Sequence, residues 1–358
     1  KCYKAESCIQ CIFNLNNLDT CPVCYGFTSK QAFEIYKDYV DFAVEMGWEY
    51  QLLDEGWQRK NTDPNDSSIY KGYYDWTEDL IQYANEKGVG LIVWANSSDL
   101  KTPEQQEERI TEWAQMGFKG VKPDFFDSQD QATILQIENL AKTTAKYNML
   151  LNVHGAGKPT GERRTYPNVI SREAVFGAEQ YDFIPDNVSA RHNCTLPFTR
   201  NAVGPMDYTP MASYGASGDY RQFTLAHMAA LPVVFEAGVQ CMADKPDVYR
   251  AHPAYEHYFK NMPSEWEESI LVDGEPADYV NFARRNGDDW YQGMICDNAR
   301  NAEFSLDVLG EGTYTAYIYT DGEDPMETVD AETRTVTKND TLNIALAETG
   351  GAAIHYVK

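Results

Sequence analysis

Residues 120–127 read "GVKPDFFD": an apolar approach runs into Lys122 and Asp124 and then two phenylalanines. A charged end on an otherwise buried strand is expected where a parallel α/β sheet carries chemistry at its carboxyl edge. The pattern recurs on both sides. "WEYQLLDEGW" (48–57), "VGLIVWANS" (89–97) and "MLLNVHG" (149–155) are also apolar runs that end in polar groups. Helical stretches separate them. Phe33, Tyr36, Val40 and Ala43 repeat at helical spacing, with Gly47 as a stop. "WTEDLIQYANEKG" (76–88) and "QATILQIENLAKTTAKYN" (131–148) read the same way. Thr102-Pro103-Glu104-Gln105 is a capping box with Pro103 at the first helical position, and Gly117 closes that helix. Further on come "NVISREAVFGAE" (168–179), "TLPFTRNAVGPMDYTP" (195–210), a helix around "YRQFTLAHMAAL" (220–231) and an apolar strand "PVVFEAGVQ" (232–240).

Strands alternating with helices predict an α/β fold, a (β/α)8 TIM-type barrel over residues 29–263. About seven strands fall between Glu49 and Gln240. Residues 1–28 hold no convincing barrel strand, so the first strand is expected to be incomplete. The texture changes near residue 264. "YVNFARRNGDDWYQGMICDNAR" (279–300), "GTYTAYIYTDG" (312–322), "TRTVTKNDTLNIAL" (333–346) and "GAAIHYVK" (351–358) are rich in β-branched and aromatic residues and broken by Gly, Asp and Asn. They predict an all-β, antiparallel C-terminal sandwich over residues 264–358, with a linker around Pro263.

The net charge of −25 repels phosphate backbones and anionic lipid, which argues against nucleic acid and membrane surfaces as partners. No run of 18 apolar residues is present, so no spanning helix is expected. No signal peptide is visible at Lys1: it was removed, or the chain never had one. Five of the eight cysteines lie in the first 24 residues. Cys8-x2-Cys11 and Cys21-x2-Cys24 have the form of paired zinc knuckles, with a nine-residue spacer shorter than the usual roughly 15–20. The other reading of this leader is thiols that are free or disulfide-bonded. Cys194, Cys241 and Cys296 are expected to be free and buried.

The polar residues at the strand ends are Asp54, Glu55 and Trp57; Trp94 and Asn96; Lys122 and Asp124; Asn152 and His154; Glu173 and Glu179; Asp207 and Tyr208; and Glu236. A barrel gathers them although they are far apart in sequence. Carboxylates dominate, with Trp and Tyr beside them. No Gly-rich phosphate loop follows a strand, and no His-x-x-x-His metal pair is present. That set suits glycoside hydrolysis, where one acid protonates the leaving oxygen and one carboxylate attacks or stabilises the anomeric carbon. Other readings stand beside it. Asp54 and Glu55 also fit a helix cap or a salt bridge, Glu236 a pairing with an arginine, His154 a hydrogen-bonded core histidine, and Glu173 a salt bridge to Arg172 or Arg164.

The segments "YKDYVDFAVEMGWEYQLLDEGW" (36–57), "GFKGVKPDFFD" (117–127), "NVHGAGKPTGERRTYPNVISREAVFGAE" (152–179), "FTRNAVGPMDYTP" (198–210) and "NFARRNGDDWYQGMICDNAR" (281–300) resemble glycoside hydrolase family 97. The resemblance covers roughly residues 34–358. It implies a (β/α)8 barrel with a C-terminal β domain, cleavage of α-glycosides, a calcium ion near the catalytic centre and a bacterial periplasmic or secreted setting. The family's N-terminal β-sandwich has no counterpart in these 358 residues. Inverting members carry a glutamate base just after the histidine of the "NVHG"-type strand end, and this chain has Gly155 there. Retaining members carry an aspartate nucleophile on the earlier strand, matched by Asp124.

By this resemblance Asp124 is the nucleophile and Glu179 the acid/base, with Glu173 and Glu179 as calcium ligands. Asp54, Glu55, Trp57, Trp94, Lys122, His154 and Asp207 are expected to contact substrate. Lys122 is expected to hold Asp124 ionised, and Glu179 to start protonated. The two catalytic carboxyls of a retaining enzyme lie about 5–5.5 Å apart. The expected activity is a retaining, exo-acting α-galactosidase on α-galactosides or oligosaccharides. The alternatives are an inverting α-glucosidase, a β-L-arabinopyranosidase and a non-catalytic sugar-binding remnant.

Overall fold

A computed structural model describes residues 2–4, 29–182, 184, 187–212, 221–260 and 262–358. The four cysteines of the expected zinc site, Cys8, Cys11, Cys21 and Cys24, lie outside the described residues. The chain forms two compact units. One is Lys1–Val175 with Gly204–Asp207 and Val239–Asp247; the other is Phe176–Val203, Tyr208–Gly238 and Val248–Lys358.

The first unit opens with strand β1 (Cys2–Lys4), followed by helix α1 (Ser29–Met46), β2 (Tyr50–Leu53), the hairpin β3 (Gln58–Lys60) and β4 (Tyr70–Tyr73), α2 (Trp76–Lys87) and β5 (Gly90–Asn96). Then come α3 (Pro103–Met116), β6 (Gly120–Asp124), α4 (Gln131–Lys146), β7 (Leu150–Val153) and β8 (Val169–Arg172). The larger sheet runs β8-β7-β6-β5-β2-β1 and ends on a seventh strand, Cys241–Met242. Every pair in it is parallel. In β5, six of the seven residues are buried, the near-continuous apolar run that a sheet covered on both faces requires.

The helices start and stop where the residue chemistry places them. The Thr102 side chain accepts the Gln105 amide while the Gln105 side chain accepts back, and Gly117 closes the helix in a left-handed conformation.

Two expectations are corrected. Residues 1–28 do supply a strand: Cys2–Lys4 lies between β2 and the strand at 241–242, with Cys2 in register with Tyr50 and with Cys241. Three residues in a cysteine-rich leader give too short a signal to read. The stretch "PVVFEAGVQ" is not a strand. Its first three residues finish a helix of the second unit, and the strand begins only at Cys241. All ten residues of that helix are buried, and an apolar run of this kind has no period to separate helix from strand.

The second unit holds α5 (Ala190–Thr195) and the buried helix α6 (Leu225–Val234). After them comes β9 (Cys241–Met242), already placed in the first unit's sheet, and α7 (Pro246–Ala251), whose residues divide between the units after Asp247. The second unit continues with α8 (Pro253–Phe259) and strands β10 (Glu268–Glu275), β11 (Tyr279–Asn286), β12 (Asp289–Cys296), β13 (Arg300–Ser305), β14 (Thr313–Asp321), β15 (Val329–Thr337), β16 (Thr341–Leu346) and β17 (Gly351–Val357). They form an antiparallel sheet of order β10-β11-β12-β17-β14-β15 and a second pair, β13-β16. This is the expected C-terminal sandwich. Trp290, Met294, Ile318, Ile344 and Ile354 are among the side chains that fill it.

Helix α6 lies against β12 and β17 at very short range. A Cβ on Gly351 would sit 2.4 Å from the His227 Cα and 2.9 Å from the Met294 carbonyl oxygen, all main-chain atoms that cannot swing aside. Gly351→Ala is therefore expected to destabilise the protein by about 1–3 kcal/mol or more. A lowered urea midpoint with an unchanged m-value is the expected reading, and an unaltered midpoint would show that the helix has room to retreat.

Candidate active site

Parallel pairing sets the carboxyl edge of the first unit in register: Trp94 lies beside Lys122, and Asn96 beside Asp124. The Lys122 ammonium meets the Asp54 carboxylate at 2.9 Å, with the two side chains only 2% and 5% exposed. The pair spans from β6 to the end of β2, over the intervening β5. Two charges taken so far from water are costly apart, and their mutual attraction repays that cost only while both are present. The salt-bridge reading of Asp54 thus holds, with Lys122 as its partner.

Asp124 is held by other groups. The Trp94 indole N–H donates to Oδ2 at 3.1 Å, and the Phe125 main-chain N–H donates to Oδ1 at 2.7 Å. The ion partner that the structure shows for Lys122 is Asp54. Trp94 is 2% exposed and acts on Asp124 through its ring nitrogen. Trp57 is corrected. It is fully buried, stacked on Tyr73 and edge-on to Trp113 and Phe118, and it donates to the Trp94 carbonyl at 2.7 Å. Its ring belongs to the packing beneath Trp94, where the apolar area it buries outweighs any use at the surface.

Glu55 stands near this pair, half-buried, and accepts the Tyr70 hydroxyl. Burial raises its pKa above the usual carboxylate range. Asp54 and Asp124 add to that, while the Tyr70 hydrogen bond and Lys60 oppose it. Tyr70 escaped the sequence reading because it lies on the small β3–β4 hairpin, outside the strand–helix period. It is also edge-on to Trp94, at 5.6 Å between ring centroids. Asp99 fixes that hairpin by accepting the main-chain N–H groups of Ile69 and Tyr70.

A second buried group forms at the ends of β7 and β8. His154 Nε2 lies 2.7 Å from Asp207 Oδ2, which also accepts the Asn152 amide at 2.7 Å. His154 Nδ1 faces Glu173 Oε1 at 3.7 Å. Burial and the Lys122 charge pull the His154 pKa down; Glu173 and Asp207 outweigh them, and it ends raised above its ordinary value. Burial alone would raise Asp207, but the His154 hydrogen bond and charge, with Asn152 and Lys122, hold it at about 2. Glu173 Oε2 accepts the Gly155 N–H at 3.0 Å. Arg172 pairs at 2.7 Å with Glu162, a partner that the sequence reading did not name.

Calcium takes about 6–8 oxygen ligands, several of them carboxylate. Among the described residues no three His, Cys, Asp or Glu side chains come together to hold a metal. Glu173 provides one hard oxygen donor, and that alone does not make a cage.

Two sequence models match the chain. The family described as "Glycoside hydrolase 97" matches residues 17–175, and that described as "Glycosyl-hydrolase 97 C-terminal, oligomerisation" matches residues 265–357. The chain belongs to glycoside hydrolase family 97. It is 36% identical over 333 residues to a retaining α-galactosidase of Bacteroides thetaiotaomicron, which covers 89% of this chain and 50% of that protein. It is 34% identical over 339 residues to a probable retaining α-galactosidase of Streptomyces bingchenggensis, covering 92% of this chain and 50% of that protein. The chain thus spans about half the length of these relatives. A family 97 enzyme of Pseudoalteromonas sp. strain K8, solved in complex with acarbose, superposes with a TM-score of 0.81 at 31% identity, over 90% of this chain and 55% of that one. A β-arabinopyranosidase structure superposes at 0.77 with 25% identity, over 90% and 53%.

In this family 97 chain the remaining carboxylates of the expected site lie in the second unit. Glu179 is in a 3-10 turn, Ala178–Asp182, whose first amide donates to the Tyr208 carbonyl at 2.9 Å. Glu236 follows α6, and its main chain is held from both sides by the Asn201 amide group.

The buried pair gives a stability test. Lys122→Met leaves the Asp54 carboxylate without its partner and should cost about 3–5 kcal/mol. The Asp54→Asn/Lys122→Met double variant should lose clearly less, and a double variant as unstable as the single one would contradict the pairing.

The second group gives a pH test. Asp207 lies below its ordinary 3.8, so its contribution to stability is present above that value and is lost as the pH falls towards about 2. His154 lies above its ordinary 6.5, so its contribution is present below that value and is lost as the pH rises through the folded-state pKa. Thermal melts of Asp207→Asn should therefore show a shallower acid limb than those of the parent chain. Parallel limbs would refute the assignment.

Proposed function

We propose that this chain carries the catalytic site of a retaining, exo-acting α-glycosidase whose substrate is an α-galactoside. The observation that carries the reading is Asp124. It ends β6 with both carboxylate oxygens held by fixed N–H donors, and the position facing it, Gly155, bears no side chain. A nucleophile must be aimed at one carbon atom, and fixed donors do the aiming. The names of the two relatives, retaining and probable retaining α-galactosidase, favour the same reading.

In this scheme an Asp124 oxygen attacks the anomeric carbon as the bond to the leaving oxygen breaks, and Glu179 gives that oxygen its proton. Glu179 then takes a proton from water, whose oxygen displaces Asp124 from the same carbon. Two inversions give net retention. Asp54, Glu55, His154 and Asp207 supply the polar surroundings in which sugar hydroxyls are recognised, Lys122 sets the position of Asp54, and Trp94 that of Asp124. Glu173 and Glu179 are the carboxylates offered to calcium by the family resemblance. The reaction is written without a step through that ion, since the described residues do not assemble a site for it. The seven-stranded sheet is taken as the greater part of a (β/α)8 barrel.

A β-L-arabinopyranoside has the galactose ring without its C6 arm, so activity on it would be a close variant, in line with the β-arabinopyranosidase neighbour. The inverting α-glucosidase reading requires a carboxylate where this chain has Gly155.

The test is proton NMR of an aryl α-galactoside during hydrolysis. α-Galactose is expected first, with the β anomer growing in only by mutarotation, and Asp124→Ala should lower turnover by at least about 10³-fold. β-Galactose appearing first, or inverted product surviving in Asp124→Ala, would replace this reading with the inverting one. Sugar binding with no hydrolysis would leave the non-catalytic reading.

A further inference from the structure

We propose that a cleft beside α4 is a second, non-catalytic binding site of this chain, built for a neutral sugar ring. Its walls are α4 on one side and the loop after β7, residues 157–166, on the other. The choice of a sugar among neutral ligands rests on membership of a glycosidase family; the cleft itself does not.

The loop carries "KPTGERRTYP" (158–167), a stretch that the proposed reaction leaves without a task. Arg172, itself buried, fixes the loop from the end of β8. Its Nη2 meets Glu162 Oε1 at 2.7 Å, and its Nη1 donates to the Gly157 carbonyl at 2.9 Å. The next residue, Glu173, makes its contacts with His154 and Gly155. Successive side chains of an extended segment point to opposite sides, so the cleft and the candidate active site lie on opposite sides of this one. The Arg164 N–H donates to the Gly161 carbonyl, and those of Thr165 and Tyr166 to the Glu162 carbonyl, which closes the loop on itself. The cleft is therefore preformed. Its volume is about 320 Å³, at the lower end of the range for small-ligand sites.

The lining has two characters. Ile134, Ile137 and Ala141 of α4 give an apolar wall, with Ile134 40% exposed at its rim. Thr160 and Glu162 of the loop bring a hydroxyl and a carboxylate. Tyr166 adds an aromatic ring that is held in place: its hydroxyl donates to Glu138 Oε1 at 3.3 Å, and the Lys142 ammonium lies 5.9 Å from the ring centroid.

Charge decides the class of ligand. Each charged side chain lining the cleft has an opposite partner: Glu162 has Arg172, and Glu138 has Lys142 at 2.8 Å. An anion would have to displace Glu162 from a buried guanidinium, against a net charge of −25. A metal cation would find two carboxylates that are already engaged, far fewer than the oxygens calcium takes. A wholly apolar ligand would cover polar groups and give them no hydrogen bond in return. A pyranose meets all three demands. It has no charge, it offers hydroxyls to the loop, and its C–H groups suit the isoleucines and the tyrosine ring.

The test is an NMR titration of the full chain labelled at its isoleucine δ1 methyl groups. The probe is methyl β-galactoside, which an α-glycosidase does not cleave. The Ile134 and Ile137 resonances should move saturably, with half-saturation at about 1 mM. Tyr166→Ala should weaken this binding by at least about tenfold and Tyr166→Phe by no more than about threefold. Turnover of an aryl α-galactoside should stay parental in Tyr166→Ala.

Resonances that stay fixed up to about 50 mM probe overturn the proposal. So do equal shifts at equal concentrations of glycerol, which would mark a cleft for any polyol. Shifts undiminished in Tyr166→Ala would place the bound sugar elsewhere, and turnover lost together with the shifts would make the cleft part of the catalytic site; either refutes a separate sugar site. Should Tyr166→Ala fail to fold, Ile134→Ala changes only the exposed rim and is read at Ile137: weakening by at least about threefold supports the site, and undiminished binding overturns it. A parent chain that hydrolyses no α-galactoside would end the functional reading alone, because the titration needs no turnover.

Discussion

The ion pair between Lys122 and Asp54 is the constraint on which the carboxyl edge of the first unit depends. It joins two strands that are not neighbours, across β5, at a depth where neither charge could remain alone. Trp94, on the strand between them, is packed edge-on to Tyr70 and Phe125 and braced from below by Trp57. Its indole N–H is therefore aimed, and Asp124 is where it is aimed. The Lys122 charge also bears on His154 and Asp207, so the second buried group is set against the same lysine. Buried charges of this kind add little to stability compared with apolar packing.

What the sequence disclosed was mostly local. The capping box at Thr102, the glycine stops and the alternation of apolar strands with helices are short-range patterns, and each has the expected conformation. The antiparallel C-terminal half was legible for the same reason, through alternating residues and turn chemistry. Where the reading went wrong, long-range packing decided. "PVVF" is equally apolar as strand or as buried helix, and only the close fit of α6 to Gly293 and Gly351 settles it. Lys122 and Asp124 are two apart on one strand, which suggested a partnership. Spacing did not show the lysine's ion partner Asp54, 68 residues earlier. Trp57 looked like a sugar platform from its place after two acids, but its burial depends on Tyr73, Trp113 and Phe118, which no local pattern predicts.

The candidate site was legible as a set of residues and illegible as a set of contacts. Asp54, Trp94, Lys122, Asp124, His154, Glu173 and Asp207 all belong to the first unit. Who holds whom could not be read from spacing, because hydrogen bonds at strand ends depend on side-chain direction. Phe125 and Tyr70 went unnoticed, one hidden in a phenylalanine doublet and the other on a short hairpin. The family match at residues 17–175 spans the segments that carry all of these residues except Asp207.

The first unit is built from three separate stretches of chain, and Asp207 arrives on the four-residue middle one. That has a bearing on biosynthesis. As the polypeptide emerges from the ribosome, the first 175 residues bring His154 and Lys122 but not the acid that neutralises the imidazole's surroundings, nor the strand that lies beside Cys2. Domains tend to mature in the order they are made. This one has all its pieces only once Asp247 is made, after two short stretches of the second unit but before any of that unit's strands.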